Sequence, residues 1–488
     1  MTLVHSMRRR QRYTLTENME LAYNTTGSPL LDLFASCGGM RRTPEENIRL
    51  MFHKALNEDR QLAARLAFWC RDAREGAGER RTGRIMLEIL AQREPESMRE
   101  LLPLIPEYGR WDDLLVFFDT PLQEDVLKLI EQQLQEDIER MQKEQPVSLL
   151  AKWLPSVNAS SRRTRKDARI ILSYLKMSEK EYRHTLSSLR SYLNITEKNL
   201  SEKEYERIVY PEVPSCAMHR YRNAFRSHDE DRFDAFLDNV SKGEEKINSS
   251  VLYPYDITEK YLYSLKRPDS VLEEQWKALP DYVSDGRDIL VMADVSGSMH
   301  GRPMATSVGL AIYFAERCHG PFHNRFMTFS FRPELVEVEG DTLFAKVQNV
   351  QNANWEMNTD IEAAFMAILD AAVSAHLPQE ELPDTLLIIS DMQFDYCTSS
   401  TDCLITDEMK NRYKAYGYTL PELVFWNVDS RRNTFFADPD TEGIKMASGH
   451  SPSLFASLCK DESVTPYGFM CSVLNSKRYE KIAIKPTV

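Results

Sequence analysis

Asp294-Val295-Ser296-Gly297-Ser298 places a carboxylate and two hydroxyls on alternate residues. All three offer oxygen, and oxygen ligands suit a hard cation such as Mg²⁺. Five apolar or small residues, Ile289–Ala293, precede them and read as a short buried strand. The three oxygens can therefore converge just past a strand end, and further ligands must come from loops at the same sheet edge. Two candidates follow. Asn358-Thr359-Asp360-Ile361 opens an apolar, helix-like run to Val373, and Leu386–Ser390 is a second buried strand followed by Asp391. The candidate metal set is Asp294, Ser296, Ser298, Thr359 and Asp391, with Mg²⁺ or another divalent cation as the expected cofactor. The same residues are open to other chemistry. Asp294 and its serines can cap the next helix. Ser296 as a nucleophile lacks the G-x-S-x-G elbow. A phosphoryl-accepting aspartate would have a second Asp two residues on, where Ser296 stands. No residue is nominated as catalytic, and the chain reads as a non-enzyme.

A second kind of chemistry lies in the first half. Phe68–Gly83 sets Arg71, Arg74, Arg80 and Arg81 around Gly76-Ala77-Gly78. Pro106–Leu114 sets Tyr108, Arg110 and Trp111 around a glycine. Trp153–Arg169 gathers Arg162, Arg163, Arg165, Lys166 and Arg169 against Asp167, near the start of a helix. Val209–Arg226 adds His219, Arg220, Arg222 and Arg226. Cations beside aromatics and helix N-termini suit phosphate binding and base stacking. These are the candidate RNA contacts. The bland alternative pairs Arg71 and Arg74 with Asp72, Glu75 and Glu79 on a solvated surface, and packs Trp111 in a core.

The elements that must position these residues follow from length and pattern. A chain of 488 residues exceeds one ordinary core, so several domains are expected. The net charge of −13 is uneven: most of the acidic excess falls after residue 284, so any nucleic-acid surface belongs to the first half. Eight cysteines are scattered without C-x-x-C spacing, which reads as thiols of a reducing compartment. The basic N-terminus lacks the apolar stretch of a signal peptide, and no run is apolar enough to span a membrane. The reading is a soluble, cytoplasmic protein.

Residues 1–28 read as a flexible arm. Residues 29–284 carry helical periodicity broken by Pro and Gly, which suggests stacked helix pairs like HEAT repeats. Thr43-Pro44-Glu45-Glu46 predicts a helix start capped by Thr43. Residues 285–488 alternate strands and helices, as in a doubly wound α/β domain with ligands at the strand C-terminal edge. Strands are predicted at 288–294, 326–331, 385–390 and 423–428. A cut near 275–287 is expected to free a folded α/β domain.

Asp-x-Ser-x-Ser, then Thr before a helix, then Asp after a strand resembles the metal-ion-dependent adhesion site (MIDAS) of von Willebrand factor A-type domains. That resemblance implies one open cation position, filled by an acidic group from a protein partner. Motifs along the chain include FWCRDAREGAGER, LIPEYGRWDDL, YPEVPSCAMHRYRNAF, LYPYDI, IISDMQFD and SGHSPSLF. They resemble an uncharacterised family of bacteria, plants, fungi and large viruses. The layout, a TROVE-like helical half followed by an A-type domain, is similar to the Ro autoantigen family of RNA-binding proteins. The resemblance implies helical repeats closed into a ring, with non-coding or structured RNA as partner. The expected function is a non-catalytic RNA-binding scaffold, that is, a ribonucleoprotein component. The alternative is a protein-interaction adaptor whose A-type metal site captures an acidic partner group.

Overall fold

The computed structural model describes residue 7 and residues 10–283, 288–328, 331–353, 359–396, 403–460 and 464–486. Asn358, residues 397–402 of the polar segment at 395–406 and the linker at 284–287 lie outside the described residues. The chain divides into two compact units. One holds Met1–Thr82 and Ser250–Lys481; the other holds Gly83–Ser249 and Ile482–Val488. Among the described residues no helix is long and apolar enough to cross a membrane.

The first unit opens with a hairpin, β1 (Tyr13–Leu15) and β2 (Leu21–Tyr23), paired antiparallel. Its main sheet has β3 (Ile289–Ala293), β4 (Arg325–Thr328), β5 (Leu335–Glu337), β6 (Thr385–Ser390), β7 (Glu422–Asn427) and β8 (Ile444–Ser448). The order is β5-β4-β3-β6-β7-β8, parallel throughout except that β5 runs antiparallel to β4. Strand order reverses between β3 and β6. In an open α/β sheet, ligands gather at such a switch point, beyond the strand C-termini. β3 and β6 are buried along their whole length, as central parallel strands covered on both faces require. Leu290, Met292, Leu386 and Ile388 from these strands pack with Ile361, Phe365 and Leu369 of the helix Ile361–Ala375.

That core also contains Ala22, Tyr23 and Ala35, from the opposite end of the chain. Tyr23 and Phe435 exchange backbone hydrogen bonds at 2.8 and 3.0 Å. The helix Pro254–Tyr263 lies on the helix Arg302–Arg317, where Thr258 Oγ1 donates to the Ala305 carbonyl at 2.9 Å. A Cβ on Gly309 would come within 2.9 Å of Thr258 Oγ1, so this close approach needs a glycine. Residues 13–28 are therefore not a free arm, and a boundary at 284 does not separate the compact units. Composition changes where strands begin. Packing does not follow it, because segments with helical periodicity bury their apolar faces against the sheet layer.

Asp72 shows the same closure in polar form. This fully buried carboxylate accepts from Arg478 Nη2 at 2.9 Å, Tyr479 Oη at 3.0 Å and the Arg74 amide at 3.0 Å. The predicted cap at Thr43 is displaced. Pro44 takes the N-cap place of the helix Glu45–Glu58, while Thr43 Oγ1 donates to the Ser430 carbonyl at 2.9 Å.

The second unit is helical among its described residues. Its longer helices are Gln123–Gln142, Arg162–Tyr174, Glu179–Tyr192, Ser215–His228 and Glu230–Ser241. Each buries an apolar stripe, as Tyr182, Leu186 and Leu189 do in the third of these.

Two expectations follow. Arg478→Ala strips the buried Asp72 of its charged partner and should cost about 3–5 kcal/mol in urea unfolding; a loss below about 1 kcal/mol would show that Asp72 is satisfied without it. A fragment 285–488 lacks Ala22, Tyr23, Ala35 and the 254–263 helix, so it should unfold without cooperativity or aggregate. A sharp thermal transition for that fragment would restore the simple cut near 284.

Candidate metal centre

The ladder between β3 and β6 sets the geometry. Ala293 lies opposite Ile389, and the Asp294 amide donates to the Ile389 carbonyl at 2.9 Å. Asp294 and Asp391 thus leave neighbouring strands at the same sheet edge. Asp294 is fully buried. Its Oδ1 accepts from the Ser296 amide at 2.8 Å and its Oδ2 from Ser390 Oγ at 2.6 Å. Ser296 and Ser298 hydroxyls lie 3.0 Å apart, Ser298 on the turn Gly297–Met299 and Ser296 just before it. Asp391 Oδ1 accepts from the Gln393 amide at 3.2 Å, whereas its buried Oδ2 meets no donor in good hydrogen-bond geometry, although the Ser298 hydroxyl stands close enough to lower its pKa. Thr359 Oγ1 donates to the Gln393 carbonyl at 3.2 Å, and the Thr359 amide donates to Asp395 Oδ2 at 2.6 Å.

Burial raises the pKa of Asp294, against the pull of Ser390 and Ser296. Asp391 is pushed up to about 7, first by burial and then by the charge of Asp294; Ser298 and the Gln393 amide pull the other way. Two carboxylates so placed need a positive partner. Arg431 supplies part of it, donating from Nη2 to the Ser298 carbonyl while its Nε holds Asp429 Oδ2 at 2.7 Å. The orphaned Asp391 oxygen and the adjoining hydroxyls fit a hard divalent cation bound by two carboxylates and three hydroxyls. No group of three His, Cys, Asp or Glu side chains suited to a metal occurs among the described residues, so any cation here leans on hydroxyl oxygen.

Sequence reasoning missed Ser390, Gln393, Asp395 and Arg431. Ser390, Gln393 and Asp395 all stand within IISDMQFD, at most four places from Asp391. Their signal is local: polar side chains crowd the end of a strand that is otherwise wholly apolar. Arg431 has no local signal of its link to the site, because Ser298, whose carbonyl it reaches, lies in another loop.

The cationic candidates fall on both units. In the first, Arg71 is buried, so it offers no surface to RNA. Arg74 and Arg80 are exposed, while Arg81 Nη1 donates to the Thr43 carbonyl at 2.8 Å. Glu79 is bonded to Arg41 at 2.6 Å, and Asp72 to Arg478 at 2.9 Å. In the second, Arg110 lies 4.0 Å from the Trp153 ring and grips Asp112 with two bonds of 3.0 Å. Arg222 is buried, His219 half-buried and Arg220 exposed. Burial removes Arg71 and Arg222 from the RNA set. The third stretch lines a broad concavity. Arg162, Arg163, Arg165, Lys166, Arg169 and Tyr174 line a groove of about 1040 Å³ along the helix Arg162–Tyr174. Arg165 is held by the Ala159 and Ser160 carbonyls at 2.7 Å each. Asp119 pairs with Arg163 at 2.9 Å and Lys166 at 3.3 Å.

The geometry defines a two-unit protein with an oxygen-rich pocket at the switch point of a parallel sheet and a cationic groove on a helical unit. Residues 288–478 match a family described as Domain of unknown function (DUF7788), and residues 16–117 and 162–287 match Domain of unknown function (DUF2828). Uncharacterized protein L728 of Acanthamoeba polyphaga mimivirus is 30% identical over 500 residues, covering 94% of this chain and 87% of that protein. The chain belongs to the family of that viral protein. The crystal structure of the Deinococcus radiodurans Ro (RSR) protein aligns with a TM-score of 0.49 at 14% identity, over 92% of this chain and 99% of that one.

Asp391→Asn tests the pocket. Magnesium at 100 times its Kd should stabilise the wild type by about 2.7 kcal/mol, read as a rise in melting temperature. Asp391→Asn should lose that rise and keep the metal-free melting temperature, since it removes a buried charge. An equal Mg²⁺ response in both proteins would contradict the assignment.

Proposed function

We propose that this chain is a non-catalytic RNA-binding scaffold of the Ro type. The helical unit takes RNA, and the sheet-bearing unit supplies an A-type fold with a divalent site of the metal-ion-dependent adhesion kind. The observation that carries this reading is the cationic groove on the helix Arg162–Tyr174. Five Arg or Lys side chains face one concavity in a protein of net charge −13. Exposed pairs such as those to Asp119 contribute about 0–1 kcal/mol, so phosphate can replace that carboxylate at little cost. Tyr174 adds a ring on which a base can stack. The motif resemblance to Ro proteins supports the same reading, and implies that the helices form HEAT-like repeats around a ring. Cys37, Cys70 and Cys318 are thiols rather than disulfides, which fits a reducing, cytoplasmic setting.

Asp294, Ser296, Ser298, Thr359 and Asp391 would hold Mg²⁺ in the A-type domain. A divalent cation bound there supplies a Lewis-acidic centre for an acidic group of a partner. One observation favours the adaptor as the second reading: Met19 and Tyr396 are both more than half exposed, on segments that pair beside the candidate site. Exposed apolar side chains beside a charged pocket suit protein contact.

Replacing Arg162, Arg163, Arg165 and Lys166 by Ala should weaken RNA binding across sequences. The slope of log K against log salt should flatten by about 0.7 per lost contact for a single strand. Filter binding at several salt concentrations reads both. Unchanged affinity and slope, with the fold intact by circular dichroism, would favour the adaptor reading.

A further inference from the structure

The turn between β1 and β2, Thr16–Glu20, is closed on itself. The Thr16 amide donates to the Glu20 carbonyl at 2.9 Å, the Glu20 amide to Thr16 Oγ1 at 2.9 Å, and Met19 takes a left-handed φ of 74°. This turn is seated on the loop that follows β6. Thr16 Oγ1 donates to the Phe394 carbonyl at 2.7 Å, and the Glu17 amide to Gln393 Oε1 at 2.9 Å. Asn18 Nδ2 donates to the Gln393 carbonyl at 2.9 Å, while the Asn18 carbonyl accepts from the Tyr396 amide at 3.0 Å. Met19 pairs antiparallel with Asp395.

Gln393 is where this contact meets the cation pocket. Its amide holds Asp391 Oδ1, and its carbonyl accepts the Thr359 hydroxyl proton. Its side chain is fixed at the other end, with Nε2 donating to the Asp391 carbonyl at 3.3 Å and to Thr434 Oγ1 at 3.1 Å. Two of the five candidate ligands, Asp391 and Thr359, are thus oriented through one residue. That residue is gripped by the N-terminal turn. Asn18 Nδ2 also lies 3.5 Å from Thr359 Oγ1. Sending the Thr359 proton to the Gln393 carbonyl leaves one hydroxyl lone pair for a cation beside the one that faces Asn18 Nδ2, and groups that fix ligand orientation tune metal affinity.

We propose that the turn Thr16–Glu20 is a positioning element of the cation pocket, with Asn18 and Gln393 as its positioning residues, so that the N-terminal segment sets divalent-cation affinity. This rests on the cation reading given above. Nothing in the local sequence of either segment links them. The link exists because residues 13–28 fold onto the sheet unit.

Titrating the full-length chain with Mn²⁺, followed by electron paramagnetic resonance, tests it. Asn18→Leu removes the amide donor and keeps the size. It should raise the Mn²⁺ Kd by about 10-fold and alter the bound Mn²⁺ spectrum, with the metal-free melting temperature unchanged. Asn18→Gln keeps the donor and should recover part of the affinity. Asp391→Asn is the control that removes binding. An unchanged or tighter Kd in Asn18→Leu, with binding still lost in Asp391→Asn, overturns the proposal and leaves the cation reading intact. So does a drop in metal-free melting temperature that accounts for the lost affinity, since the turn is then a structural brace. No Mn²⁺ binding by the wild type overturns both.

Discussion

Two carboxylates, Asp294 and Asp391, leave adjacent parallel strands at one sheet edge, and both are buried. Burying ionised carboxylates side by side costs several kcal/mol each unless they are hydrogen-bonded and partnered. The surroundings read as the response to that constraint. Ser390 and the Ser296 amide serve Asp294, the Gln393 amide serves one oxygen of Asp391, and Arg431 brings a fixed positive charge nearby. One Asp391 oxygen is left over. The strand order explains why the pair forms here: β3 and β6 flank the point where the sheet changes direction, so their connections leave toward opposite edges.

The unit that presents this pocket is built from both ends of the chain. Tyr23 pairs with Phe435, Thr43 with Ser430, and Asp72 with Arg478 and Tyr479. A Cβ on Gly78 would collide with the hydroxyl of Tyr253, and Gly78 has a left-handed φ of 67°, so FWCRDAREGAGER and LYPYDI meet through a glycine that side chains would not tolerate. Both stretches therefore help to hold the first unit together. The arginines of the first have the composition of RNA ligands, yet Arg71 is buried. The helical unit carries a groove lined by five cations, and its helix Arg162–Tyr174 shares no residue with that joint.

Local chemistry made part of this legible. Apolar runs at Ile289–Ala293 and Leu386–Ser390 mark buried parallel strands without ambiguity, and oxygen-bearing residues at their ends mark the pocket. The alternation of strand and helix marks the α/β class. Other features carried no local signal. β8 contains Lys445, which reads as solvent-facing but is buried, with its ammonium 3.1 Å from Glu422. The hairpin Tyr13–Tyr23 is short and polar at its turn, and only its seat on residues 393–396 shows that it is ordered. Arg222 and Arg71 carry the composition of a basic patch, and only tertiary packing reveals that they are inside. Periodicity reports which face of an element is apolar. It does not report which distant segment covers that face.

The account turns on whether the oxygens of Asp294, Ser296, Ser298, Thr359 and Asp391 enclose a divalent cation. Crystals of the full chain grown with Mn²⁺, with diffraction collected at the manganese edge, answer this directly. The account predicts one strong anomalous peak at the C-terminal ends of β3 and β6, about 2.0–2.6 Å from an oxygen of Asp294 or Asp391, the range of hard-cation bonds to oxygen. Manganese sites confined to surface acids, with that edge of the sheet empty, would contradict it.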